Sequence, residues 1–188
     1  MKCLYAAAAL LPFCFSVAGA ADHHHHGAAA PPMEAVCVMA PTKGNDMVGG
    51  TLTLTQHKGY VLVKGSVQGL TPGEHGFHIH MFGDLRAPDG MSAGGHFNPG
   101  GHKHGGPESA ERHAGDLGNI RAGEDGVAMV SIKAKGLELH YVIGRSIVVH
   151  VKADDLKSQP AGDAGARIGV GVIGIAEQKA AKMPAKRG

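Results

Sequence analysis

The sequence predicts an all-β domain, a sandwich or flattened barrel of eight short antiparallel strands. Residues 51–55 alternate Thr and Leu strictly, the period-2 mark of a half-buried antiparallel strand. Short apolar runs recur between turn signals along most of the chain, and 30 glycines supply the turns. No stretch carries a convincing helical period.

Residues 35–39 (Ala-Val-Cys-Val-Met) form the first strand and residues 51–55 the second. His57-Lys58-Gly59 turns the chain into residues 60–67, and Leu70-Thr71-Pro72-Gly73 turns it into residues 75–81. Residues 117–122 and 127–133 make a hairpin around Gly123-Glu124-Asp125-Gly126. Residues 146–151 and 168–176 complete the eight. With aromatics at 4% and no tryptophan, Val, Ile, Leu and Ala must fill the core.

Residues 1–21 have the form of a secretory signal: Lys2, an apolar run over 5–17, then Ala18-Gly19-Ala20 as a small-x-small cleavage site. The run is too short to span a bilayer, so the mature chain has no integral membrane segment. Pro12 and Phe13 before Cys14 argue against lipid attachment. Export to a periplasm or outside the cell is expected. Cys3 and Cys14 leave with the signal, so Cys37 alone remains and no internal disulfide can form. Residues 22–33 follow as a His-rich arm. His23–His26 are either solvated polar residues or a loose collector of copper or zinc. The folded domain is expected over 34–177, and residues 178–188 form a basic tail. The domain holds 13 Lys+Arg against 15 Asp+Glu, so no basic face points to nucleic acid.

Chemistry concentrates between His78 and Asp116. Six histidines (His78, His80, His96, His102, His104, His113) and Asp116 stand there among glycines and a few prolines. Neutral imidazole binds zinc and copper, and Asp adds an oxygen donor. His78 and His80 are two apart on a strand and so leave the same face. His150 sits near the end of another strand, where it can approach that face.

Gly76-Phe77-His78-Ile79-His80, Gly95-His96-Phe97-Asn98-Pro99, His104-Gly105-Gly106-Pro107, His113-Ala114-Gly115-Asp116-Leu117-Gly118-Asn119 and Gly171-Val172-Ile173-Gly174-Ile175 closely resemble the eukaryotic-type copper,zinc superoxide dismutases. The resemblance runs over roughly residues 34–177, with the motifs in family order. It implies a Greek-key β-barrel and copper bound by His78, His80, His96 and His150. It further implies zinc bound by His96, His104, His113 and Asp116, with His96 shared between the metals. Two four-ligand sites made from seven residues require one shared ligand, which agrees. The activity implied is conversion of superoxide to dioxygen and hydrogen peroxide. Arg167 matches the arginine that attracts the anion, Asp154 the aspartate linking a copper histidine to a zinc histidine, and His75 a structural histidine. His102 has no counterpart and reads as solvent-facing. The resemblance also implies a homodimer built on Phe82-Gly83, Ile143-Gly144-Arg145 and residues 171–175.

Two departures stand out. The family's disulfide positions fall at Gly90 and Val170, so both cysteines are absent. The segment 151–166 is several residues shorter and poorer in charge, leaving Lys152, Lys157 and Arg167 to steer substrate. A non-catalytic copper/zinc-buffering protein of the same fold is the alternative. A copper chaperone would require a C-x-x-C motif, which one mature cysteine cannot supply.

Overall fold

The computed structural model describes residues 33–177. The expected signal, most of the His-rich arm and the basic tail lie outside the described residues. Eight strands form a closed barrel: β1 (Glu34–Pro41), β2 (Gly49–His57), β3 (Tyr60–Gln68), β4 (Gly73–His80), β5 (Asp116–Ala122), β6 (Ala128–Lys135), β7 (Ser146–His150) and β8 (Arg167–Ile175). Around the barrel their order is β1-β2-β3-β6-β5-β4-β7-β8. Every pairing is antiparallel. The connections β3 to β4 and β6 to β7 join strands that are not neighbours around the barrel, giving overlapping Greek keys.

The alternation expected from the sequence sets the core. Ala35, Cys37 and Met39 of β1, Leu52 and Leu54 of β2, and Val61, Val63 and Val67 of β3 point inward and are buried. Phe77 and Ile79 of β4 meet them with no exposed surface. Each such large side chain contributes roughly 1.5–3 kcal/mol by leaving water. Cys37 lies in this cluster, and burial pushes its thiol up to about 12. It packs as a small apolar group rather than as a redox thiol.

Strand limits differ from expectation by up to two residues, and helix is not wholly absent. A four-residue helix, α1 (Leu139–Val142), covers one part of the core with Leu139 and Val142. The Leu139 N–H donates to Gln56 Oε1 at 2.6 Å. One turn is too short to show a period, which is why sequence alone did not suggest it. A 3₁₀ turn over Met91–Ala93 follows the first disulfide position. At the second position Val170 is buried and packs on Ala93 and Val148.

Candidate metal centre

β4 is the spine of the site. Its odd-numbered side chains Phe77 and Ile79 fill the barrel, so His78 and His80 leave the opposite face under the loops. His150 ends β7, the neighbour of β4, and sits opposite Arg167 at the start of β8. Residues 95–97 run beside the end of β4, where Phe97 N–H donates to the Ile79 carbonyl at 2.7 Å and Met81 N–H to the Gly95 carbonyl at 2.8 Å. That pairing sets His96 against His80. Asp116 begins β5 opposite His78.

Two groups of ligand-type atoms result. His78, His80, His96 and His150 converge with their atoms within 4.8 Å of one another, and so do His96, His104, His113 and Asp116. All seven residues are at most 7% exposed. These are the sets expected from the sequence, and His96 belongs to both.

Outer hydrogen bonds occupy one ring nitrogen of His78, His80 and His150 and leave the other facing the site, where His80 Nε2 and His150 Nε2 lie 3.4 Å apart. His78 donates through Nε2 to Asp154 Oδ2 (2.8 Å), His80 through Nδ1 to the Gly94 carbonyl (2.8 Å), and His150 through Nδ1 to the Gly165 carbonyl (2.9 Å). Outer partners of this kind fix the tautomer and present the other nitrogen's lone pair inward. Among the described residues, His78 Nδ1 and His96 Nε2 are buried without a hydrogen-bond partner. Such orphans are rare unless an ion or water satisfies them. On the second group, Asp116 Oδ1 lies 2.8 Å from His96 Nδ1 and 3.1 Å from each of His104 Nδ1 and His113 Nδ1. The edges of a zinc tetrahedron with 2.0–2.1 Å bonds are about 3.3 Å, so the donors are already at ligand spacing. Three nitrogens with one carboxylate oxygen suit zinc, and four nitrogens suit copper(II).

Electrostatics keep the copper-type donors and Asp116 in binding form, whereas His104 must give up a proton to bind a metal. Burial, then the neighbouring histidines, pulls His78 down to about 4 and His150 down to about 3, and burial also holds His80 well below its ordinary value. These rings are neutral at pH 7. Burial pulls His104 down too, but the carboxylates of Asp116 and Asp154 outweigh it and leave the ring at about 9. Burial alone raises Asp116, yet its contacts with His104, His96 and two backbone N–H groups hold it well below the usual carboxylate range.

Asp154 stands between the two groups, the place the family resemblance implied for it. Its two oxygens accept from His78 Nε2 and from His104 Nε2 (2.9 Å), joining the two groups. His75 sits beneath the site, with Nδ1 2.7 Å from the His150 carbonyl and Nε2 between the Thr71 carbonyl (2.9 Å) and hydroxyl (3.4 Å). His102 is exposed and outside both groups. Arg167 lines a cavity of about 380 Å³ together with His80, His96, His150, Met91 and Pro160. Its Nη1 and Nη2 donate to the carbonyls of Gly90 (2.6 Å) and Gly94 (2.5 Å). Thr42 Oγ1 donates to the Arg167 carbonyl, and Lys43 N–H to that of Pro88, both at 2.7 Å. These bonds tie the loop to the barrel where the family's disulfide is missing. Lys152 lies 4.0 Å from exposed Asp163, and neither Lys152 nor Lys157 lines the cavity. Of the three steering cations expected, only Arg167 does.

Sequence reasoning overlooked two amides and a glycine. Asn119 Nδ2 donates to the Asp154 carbonyl (2.9 Å) and its Oδ1 accepts the Asp154 N–H (2.7 Å). Gln159 treats His104 the same way. Gly162 has φ +68°, and a Cβ there would lie 1.8 Å from Asp154 Oδ1. Asn119 was quoted within a motif, so a signal existed. Gln159 and Gly162 carried none.

The family description "Copper/zinc superoxide dismutase (SODC)" matches residues 48–173. The chain belongs to that family. It is 46% identical over 154 residues to the copper-zinc superoxide dismutase 2 of Mesembryanthemum crystallinum, covering 76% of this chain and 97% of that relative. It is 44% identical over 161 residues to the copper-zinc superoxide dismutase 3 of Arabidopsis thaliana, covering 80% and 96%. Copper and zinc are the family's metals, and the two donor groups suit them.

Proposed function

We propose that this chain is a working superoxide dismutase, with copper held by His78, His80, His96 and His150 and zinc by His96, His104, His113 and Asp116. The observation that carries this is His96. It belongs to both buried groups, with Nδ1 beside the zinc-type donors and Nε2 facing the copper-type histidines without a partner. Bound copper supplies one-electron redox chemistry, which zinc lacks. The net reaction turns two superoxide anions and two protons into one dioxygen and one hydrogen peroxide. His96 Nε2 is the atom placed to take up and release a proton. Arg167 offers a permanent cation and a fork of donors to an incoming dioxygen anion. With copper and zinc loaded, superoxide decay should run far above its spontaneous rate. Full metal content without acceleration would favour the buffering alternative.

Replacing Arg167 by Ala should lower the rate roughly tenfold or more and flatten its salt dependence, because a focused cation raises the capture rate of anions. Arg167→Lys should recover part of it. An unchanged rate in fully metallated Arg167→Ala removes the arginine from the mechanism.

We further propose a homodimer. Phe82 and Ile175 are exposed apolar residues, and Gly83 abuts Gly144 so closely that a Cβ would lie 2.3 Å from the Gly144 carbonyl oxygen. Gly144 N–H in turn donates to Ile173 O at 2.8 Å, so the three segments named for the interface adjoin. Sedimentation should show a dimer for the native chain and a monomer for Phe82→Lys. A native monomer sinks this reading. Export is proposed from Ala18-Gly19-Ala20. Amino-terminal sequencing of protein recovered outside the cytoplasm should begin at Asp22, and an intact Met1 contradicts it.

A further inference from the structure

His104 is a zinc-type donor in an irregular stretch, residues 101–106, where no strand or helix supplies partners for its backbone. A donor held only through its side chain drifts with its loop. Gln159 meets this need from the loop after β7. Its Oε1 accepts the His104 N–H at 2.8 Å and its Nε2 donates to the His104 carbonyl at 2.9 Å. Among the described residues, the Gln159 side chain is the only hydrogen-bond partner of either group. Two parallel bonds between a planar amide and a backbone unit fix orientation as well as distance, as a rung does in a sheet.

We propose that Gln159 is a positioning residue for zinc, acting through the backbone of His104. The inference rests on the ligand sets given above. His104 then has three constraints: Gln159 on its backbone, Asp154 Oδ1 on its Nε2 (2.9 Å), and the zinc-type group on its Nδ1, which lies 3.1 Å from Asp116 Oδ1. Asn119 does for the Asp154 backbone what Gln159 does for that of His104, so the two ends of the Asp154–His104 link are each gripped by an amide. Gln159 is itself steadied by a bond from Nε2 to the Lys157 carbonyl at 3.0 Å, and Gly162 N–H closes the same loop onto the Ser158 carbonyl at 2.7 Å. Pro160, the next residue, lines the copper-side cavity, so the zinc donor and the cavity rim are anchored at adjacent positions.

The test uses Gln159→Met, which keeps length and removes both the amide oxygen and the amide nitrogen at an exposed position. Zinc release from the copper- and zinc-loaded protein is followed with a colorimetric chelator. The visible spectrum of protein carrying cobalt(II) in the zinc site is recorded as a second readout. Outer partners of metal ligands are worth 10–100-fold in affinity, so release should quicken about tenfold and the cobalt bands should shift. The melting temperature of the metal-free protein should stay within about 2 °C of native. Native release kinetics with an unchanged cobalt spectrum overturn the proposal, and so does an equal loss of stability with and without metal. Native protein that binds no zinc overturns both the ligand sets and this role. Stoichiometric, slowly released zinc that Gln159→Met leaves untouched removes Gln159 alone.

Discussion

Stripping zinc while leaving the chain otherwise intact is expected to lower the melting temperature by roughly 8–16 °C. The zinc-type donors draw together four segments: residues 95–97, the irregular stretch with His104, the approach to β5 with His113, and Asp116 on β5 itself. Nothing covalent shares that task, because Gly90 and Val170 occupy the family's disulfide positions. The hydrogen bonds of Arg167, Thr42 and Lys43 tie the loop only between Pro88 and Gly94. A ligand present at a thousand times its dissociation constant stabilises by about 4 kcal/mol. In a domain of this size each kcal/mol moves the melting point by about 2–4 °C. Without the ion, His96, His104 and His113 are left to share one oxygen, Asp116 Oδ1, at 2.8–3.1 Å. Calorimetry of zinc-free and zinc-loaded protein decides the point. A shift below about 3 °C means that packing of Val170 on Ala93 and Val148 replaces the missing bond unaided.

Gly162→Ala is expected to weaken zinc binding by 10–100-fold and to disturb the copper side as well. A Cβ at residue 162 would lie 1.8 Å from Asp154 Oδ1 and 2.7 Å from His104 Nε2, inside the bond that joins the two metal groups. The backbone there has φ +68°, which an L side chain rarely adopts. The loop must therefore move, and Asp154 loses its hold on His104 first. Competition titration with zinc, and the absorption of bound copper(II), report the two effects separately. Native affinity for both metals would show that Asp154 does not organise the centre.

The fold was legible because its physics is local. Strict alternation at residues 51–55 and the apolar runs at 35–39 and 146–151 mark strands whatever lies far away in the chain. The donors were legible for a similar reason: His78 and His80 share a strand face by period alone. Convergence of His96, His104, His113 and His150 was not a local fact, and the resemblance to a family supplied it. What stayed hidden follows a pattern. Helix α1 is one turn and has no period to detect. Gln159 acts through a side-chain amide on a backbone 55 residues away. Gly162 matters through a close approach that exists only once the loops are folded.

The measurement that bears most directly on the two-metal centre is anomalous diffraction from crystals of the loaded protein, collected at the copper and zinc absorption edges. One peak at the copper edge should lie among His78, His80, His96 and His150. A separate zinc peak should lie among His96, His104, His113 and Asp116, with the His96 ring between them. A single peak, or two peaks that His96 does not join, would contradict the shared-histidine centre on which the proposed chemistry rests.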